Sequence, residues 1–274
     1  MRPLALLLLS LLSLLTACAS PPQPPPDTVR RADVLLLGEL HDNPAHHAQR
    51  AQWLAALLQD GRPTTVVFEQ MQAGTDAAVA AAADADGVAQ AGALDQAAWQ
   101  WPLHRPLVDA ALAGKARIVG ANLPRPVVRA VVQDEAAVPP QLQPRLAAAR
   151  WSPAAEAALA QVIAEQHCGA LPAARTPGMV RAQRVRDAAF AQVVAREVQS
   201  GRRVVLIAGN EHVRRDRGVP AYLTDLPPGT QVLAVGWLEV GQAAPGGAFD
   251  DVAFTPAPTG RTDPCAALRQ PASQ

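Results

Sequence analysis

Apolar residues recur in short runs separated by longer segments of helical period. The runs at 33–37, 65–69, 117–121, 204–208 and 231–238 are β-branched or leucine-rich. Each is bounded by Gly, Pro or Asn, which predicts buried strands. Between them, Asn43-Pro44 reads as an N-cap followed by proline at the first helical position. The helix it opens runs to about Gln59, with Trp53, Leu54, Leu57 and Leu58 as its apolar stripe. Ser152-Pro153 opens another that ends near Gln166, and Thr176-Pro177 a long one to Ser200, stopped by Gly201. Alanine-rich stretches around 76–98 and 141–166 also read as helices. No repeat of 20–50 residues is present. Alternating strands and helices predict an α/β fold: a mostly parallel sheet flanked by helices, with a helical insertion.

The amino terminus has a different pattern. Arg2 precedes an apolar run over 4–15, long enough for a signal-peptide core and short for a membrane span. The run ends in Leu15-Thr16-Ala17-Cys18, which resembles the bacterial lipobox, whose cysteine is lipidated after cleavage. Prolines over 21–26 form a stiff extended tether. The expected division is therefore a signal peptide at 1–17, a lipidated Cys18 with its tether to 32, one domain over 33–266, and a flexible tail over 267–274. Buried acyl chains would hold such a protein on the bacterial outer membrane, facing the periplasm or the exterior.

Composition narrows the function. In 274 residues, 24 Lys and Arg balance 24 Asp and Glu, which leaves no cationic excess for nucleic acid. Half the residues are hydrophobic (49%), enough for a sizeable core. Lys115 is the sole lysine and Tyr222 the sole tyrosine. With Cys18 assigned to the anchor, Cys168 and Cys265 remain as a candidate disulfide; a thiolate ligand or nucleophile is the alternative.

Polar residues gather where the predicted strands end, the edge at which parallel sheets bind ligands. The first strand runs into Gly38-Glu39-Leu40-His41, the second ends at Glu69, the third near Asn122, and the fourth at Gly209-Asn210-Glu211-His212. Any one of these could be a turn with satisfied polar groups. Together, Glu39, His41, Glu69 and His212 make an acid–base or divalent-metal constellation. His-Glu-x-x-His, Gly-x-Ser-x-Gly, Walker and dinucleotide motifs are absent from the sequence. On the opening helix, His47 is expected to point inward and His46 to be solvated, both neutral beside a helix N-terminus. His167 reads as a helix C-cap. Trp99, Trp101, His104 and Arg105 form an aromatic, cationic turn suited to a flat anionic ligand, or merely an apolar anchor. Gln183, Arg186 and Asp187 share one helix face, toward the crevice or toward solvent.

These segments resemble the ChaN family of iron-regulated, haem-binding lipoproteins, within the Tiki and erythromycin-esterase-like superfamily. The matching stretches are LLLGELHDNPAHH, VVFEQM, WPLHRPLVDAAL, RIVGANLPR, HCGALP, MVRAQRVRDA, IAGNEHVRRDRGVPAYL and TDPC, in one order over about 33–266. The resemblance implies haem as cofactor and partner, a role in haem or iron uptake or storage, and a homodimer around paired haems. Family members hold the iron through tyrosine; here that role would fall to Tyr222 or to His104, which stands where tyrosine is expected. His41, Trp101, Asn122 and His212 would line the haem, and Arg105, Arg125 or Arg214 would meet its propionates. The superfamily also implies an alternative: a metal- or His-dependent hydrolase using Glu39, His41, Glu69 and His212. A lipid-anchored scaffold is the third reading.

Overall fold

The computed structural model describes residues 24–263, 265 and 266. The expected signal peptide, Cys18, most of the tether and the tail over 267–274 lie outside the described residues. Among the described residues, six strands form one sheet: β1 (Val34–Leu37), β2 (Thr64–Gln72), β3 (Arg117–Asn122), β4 (Arg203–Ile207), β5 (Val232–Glu239) and β6 (Asp251–Thr255). Their order is β3-β2-β4-β1-β5-β6, and every neighbouring pair is parallel. The α/β expectation therefore holds, with all strand ends of one kind along a single edge.

Helices cover both faces. α1 (Asp27–Arg31) precedes the sheet, and α2 (Pro44–Leu58) follows β1. After β2 come α3 (Asp76–Ala80), α4 (Ala85–Ala91) and α5 (Arg105–Ala113). After β3 come α6 (Arg125–Gln133), α7 (Gln143–Ala148), α8 (Pro153–Gln166) and the long α9 (Thr176–Gln199); α10 (Asn210–Val213) follows β4. One apolar layer joins Leu54 and Leu57 of α2 to Leu107 of α5 and to Leu35, Leu37 and Phe68 of the sheet. The other joins Phe190 and Val194 of α9 to Leu36, Val67 and Leu206. Alternate residues of β1 thus feed opposite layers, as the pleat requires.

Several elements differ from the sequence reading. α1, within the expected tether segment, buries Val29, and Ala32 follows it into the interior. The alanine-rich stretch at 76–98 breaks because Asp84 caps a new helix, accepting from the Gly87 N–H at 2.8 Å. The stretch at 141–166 divides as the Ser152-Pro153 reading expected: Ser152 caps α8 by accepting from Ala155 N–H, with Pro153 as the first helical residue. β6 was not foreseen, since an edge strand that buries only Thr255 carries little apolar signal. Cys168 and Cys265 are joined by a disulfide that ties the turn after α8 to the chain beyond β6.

Candidate functional site at the strand ends

β1 delivers Glu39 and His41 to the carboxyl edge of the sheet. A side chain at Gly38 would sit 2.2 Å from Asn210 Oδ1, so glycine is what lets the β1 exit abut the turn after β4. Asn210 in turn donates to the Trp237 carbonyl (2.6 Å) and accepts from the Trp237 N–H (3.1 Å), fixing both turns to β5.

Glu39 is buried at the centre of a polar cluster. Its Oε1 lies 2.6 Å from His41 Nδ1 and 3.2 Å from His104 Nε2. Its Oε2 faces the buried Arg50 guanidinium and, at 3.2 Å, His47 Nδ1. His47 Nε2 donates to the His41 carbonyl at 2.9 Å, which fixes its tautomer. His46 is buried too, its Nδ1 accepting from the Leu40 N–H at 3.0 Å, against the expectation that it is solvated. Burial is the main cause that lowers these pKa values, to about 4 for His46 and about 3 for His47 and His104. All three are neutral imidazoles. Ligand atoms of Glu39, His47 and His104 lie within 4.8 Å of one another, a metal-like spacing. Arg50 already supplies the cation that this carboxylate needs, so the trio is a support beneath His41.

His41 is the exposed member of the cluster, with 47% of its side chain accessible. Partial desolvation in the crevice lowers its pKa, and the nearby His212 and Arg186 charges act in the same direction against Glu69. With Nδ1 committed to Glu39, its Nε2 is the nitrogen left for a ligand or a proton. A Cβ on Gly209 would approach that Nε2 to 3.1 Å and Glu69 Oε2 to 3.7 Å, so Gly209 keeps open the space between them.

Glu69, at the end of β2, anchors a second buried network. Its Oε1 meets Arg186 at 2.6 Å and His212 Nε2 at 3.1 Å, and its Oε2 accepts from the Gly209 N–H at 2.7 Å. Asp187 holds the other nitrogen of His212 at 2.5 Å. Burial opposes charge on His212, but Glu69 and Asp187 outweigh it and raise its pKa to about 9. Burial also raises Asp187, to about 6, while burial of Glu69 is outweighed by His212 and Arg186, which hold it well below the usual carboxylate range. His212 is therefore an imidazolium clamped between two acids, and the Gln183-Arg186-Asp187 face of α9 looks into the crevice.

Two hollows meet along His41, Trp99 and Arg186. One, of about 500 Å³, lies against α6 and is lined by Ala98, Asn122, Leu123, Val128, Arg125 and Arg129; no carboxylate lines it. The other, of about 520 Å³, is the more polar of the two and includes Glu39, Glu69, His212, Asn210 and Arg214. Both volumes suit a small ligand.

The sequence-derived residues divide accordingly. Glu39, His41, Glu69 and His212 converge, and Asn122 joins them by donating to the Glu69 carbonyl (2.9 Å) and accepting from Arg186 Nε (3.2 Å). Arg125 lines the α6 hollow while paired with Asp95 at 2.8 Å. Tyr222, His104, Trp101 and Arg105 line neither hollow, whereas Arg214 lines the second. Tyr222 is fully buried in the layer beneath α9, where burial raises its pKa and its hydroxyl accepts from Arg184, so it lines neither hollow. His104 is buried against Glu39 and lines neither hollow. Trp101 and Arg105 both turn to Asp86, at 2.9 and 2.8 Å, outside the crevice. Trp99, named with its turn as a wall for a flat ligand, lines both hollows, and Arg129 was missed as a lining residue. Recognising α6 would have placed Arg129 four residues beyond Arg125 on the same face.

A family profile described as haem-binding uptake, Tiki superfamily, ChaN matches residues 26–223. Among solved structures, a Campylobacter jejuni ChaN described as binding haem cofacially superposes with a TM-score of 0.66 at 21% identity, over 78% of this chain and 84% of that one. An erythromycin esterase in its open conformation gives 0.44 at 15% identity, over 81% and 75%. A Bacillus cereus protein gives 0.40 at 12%, over 78% and 67%. No curated protein sequence matches the chain.

Proposed function

Because the chain belongs to the haem-binding ChaN family of the Tiki superfamily, we propose that the hollow against α6 binds haem, with His41 Nε2 as the iron ligand. One observation carries this reading: Glu39 holds Nδ1 of a neutral, exposed imidazole at 2.6 Å and leaves Nε2 for a metal centre. The surroundings fit the group. Ala98, Leu123, Val128 and Trp99 supply apolar walls, and Arg129 offers a cation for a propionate beside Arg125 and Arg186, which are paired with Asp95 and Glu69. Bound haem would contribute an iron centre for storage or transfer; the chain's part is to orient His41, exclude water with Trp99 and neutralise the propionates. Haemin added to the purified chain should produce a Soret band with a histidine-ligand signature that His41→Ala abolishes. An identical spectrum in that variant sinks the assignment.

The motif at 15–18 supports lipid attachment at Cys18 and residence on the outer membrane, facing the periplasm or the exterior, with haem uptake or storage as the role. Radiolabelled fatty acid should enter the wild-type chain in cells and not Cys18→Ala. Pairing of two chains around haem is the matching assembly; sedimentation with and without haemin tests it.

A second reading rests on a different observation. His41 and His212 each carry a carboxylate and border the same polar cleft as Arg186. A neutral His41 base facing an imidazolium and a guanidinium suits hydrolysis of an ester or peptide bond, with or without a divalent metal. Esterase activity lost in both His41→Ala and His212→Ala, or metal retained through dialysis, would favour it.

A further inference from the structure

We propose that Trp99 recognises the planar ring itself, so that the hollow against α6 takes a flat tetrapyrrole whether or not it carries a metal. The inference rests on the haem reading of this hollow and adds a ligand class to it: metal-free porphyrins.

Trp99 belongs to the wall between the two hollows, beside the exposed imidazole of His41. Its ring stands at 85° to that imidazole with centroids 4.8 Å apart, and at 84° to the buried His104 at 5.7 Å. A flat ligand whose centre meets an imidazole nitrogen also stands perpendicular to the imidazole plane. Two planes each at right angles to His41 can lie parallel, which is compatible with the indole running alongside such a ligand. Offset contact between flat aromatic faces is the arrangement such rings favour.

The local chain is built to hold this side chain in place. Asp95 is pinned by Arg125 at 2.8 Å, and Trp101 by Asp86 at 2.9 Å, on either side of Trp99. The Trp99 N–H donates to the Asp95 carbonyl at 3.0 Å. Gln100 then adopts a positive φ of 49°, a turn that sends Trp99 to the hollow and Trp101 to Asp86. A non-glycine residue in this region is uncommon and costs some stability.

The ligand's two handles are thereby separable. His41 can engage only a metal at the centre of the ring, whereas Trp99 and the arginines engage the ring and its acidic edge. The test titrates the full chain with haemin and with metal-free protoporphyrin IX, following absorbance and porphyrin fluorescence. Wild type should bind both. His41→Ala should lose the histidine-ligand spectrum of haemin yet still bind protoporphyrin. Trp99→Leu, which fills space without an aromatic face, should weaken protoporphyrin about tenfold, and Trp99→Phe should restore most of that affinity. Circular dichroism checks that each variant folds, and Trp99→Phe alone keeps the comparison usable if Trp99→Leu does not. Protoporphyrin affinity unchanged in Trp99→Leu overturns the proposal. So does haemin binding by wild type without any protoporphyrin binding, which leaves the haem reading standing. Binding of neither ligand overturns both.

Discussion

Glu39 Oε1 and His41 Nδ1 lie 2.6 Å apart, with the carboxylate buried and the imidazole half in solvent. The acid therefore fixes which ring nitrogen His41 presents to the crevice. Glu39→Gln keeps the shape but removes the charge, and metal ligands that lose such an orienting partner typically lose about 10–100-fold in affinity. Haemin affinity should fall by that order while the Soret band persists. Glu39 also neutralises the buried Arg50, so the same variant should unfold at lower denaturant, by about 3–5 kcal/mol. Adding Arg50→Met should return part of the stability without restoring affinity; recovery of both would mean that Glu39 acts on the fold alone.

Gly209 has an ordinary φ of −66°, so alanine meets no backbone penalty there. The added methyl would instead lie 2.9 Å from His41 Cε1 and 3.1 Å from Nε2. His41 must rotate or the turn must shift. Gly209→Ala is expected to keep its far-ultraviolet spectrum and melting temperature within a few degrees while haemin binding drops at least tenfold. Wild-type affinity in this variant would show that Nε2 does not serve as the ligand from this side.

Arg125 and Arg129 sit one helical turn apart on α6 and both line the hollow that no carboxylate lines. Charge-assisted hydrogen bonds are worth about 1.5–3 kcal/mol. Arg129→Ala should therefore weaken haemin binding about tenfold or more, and dimethyl-esterified haemin, which lacks the anionic groups, should not distinguish it from wild type. Arg105→Ala, outside the crevice, is the control and should leave both ligands unaffected.

The strand-end polar turns were legible because parallel strands must deliver their following residues to one edge, and Gly38 and Gly209 mark both central turns. The placement of Tyr222 and His104 was not, since composition says which residues are scarce and nothing about where they point. Tyr222 follows apolar Val219 and Pro220 into the layer beneath α9. His104 precedes α5 and turns under Trp99 toward Glu39. The choice of Trp99 over Trp101 depends on a positive φ at Gln100, which a glutamine does not announce. His46 was readable in principle: with Arg50, Trp53 and Leu57 it occupies positions i, i+4, i+7 and i+11, the buried stripe of α2. Its polar side chain concealed the pattern.

His212 makes stability depend on pH in a defined direction. Its folded pKa is raised to about 9, above its ordinary value of 6.5. The folded state thus holds a proton that the unfolded chain releases above pH 6.5. The stabilisation is full below 6.5 and disappears as pH rises through 9, with a slope of at most about 1.4 kcal/mol per pH unit from this one group. Urea midpoints should decline across that window in wild type and flatten in His212→Gln. A rise over the same window, or an identical decline in the variant, would remove His212 as the cause.

The Cys168–Cys265 disulfide closes a loop across a sequence separation of 97 residues, which contains α9, β4, β5 and β6. A cross-link over so long a loop restricts the unfolded chain strongly, and its removal from a folded domain typically costs about 2–5 kcal/mol. Cys168→Ser should lower the denaturation midpoint by that order. Cys168 lies two residues beyond Gln166, which borders the polar cleft, while His41 is held by the separate hydrogen bond to Glu39. Haemin affinity, measured well below the midpoint, should therefore change less than threefold. Loss of binding with unchanged stability would reverse this assignment and make the cross-link part of the binding wall rather than a clamp on the fold.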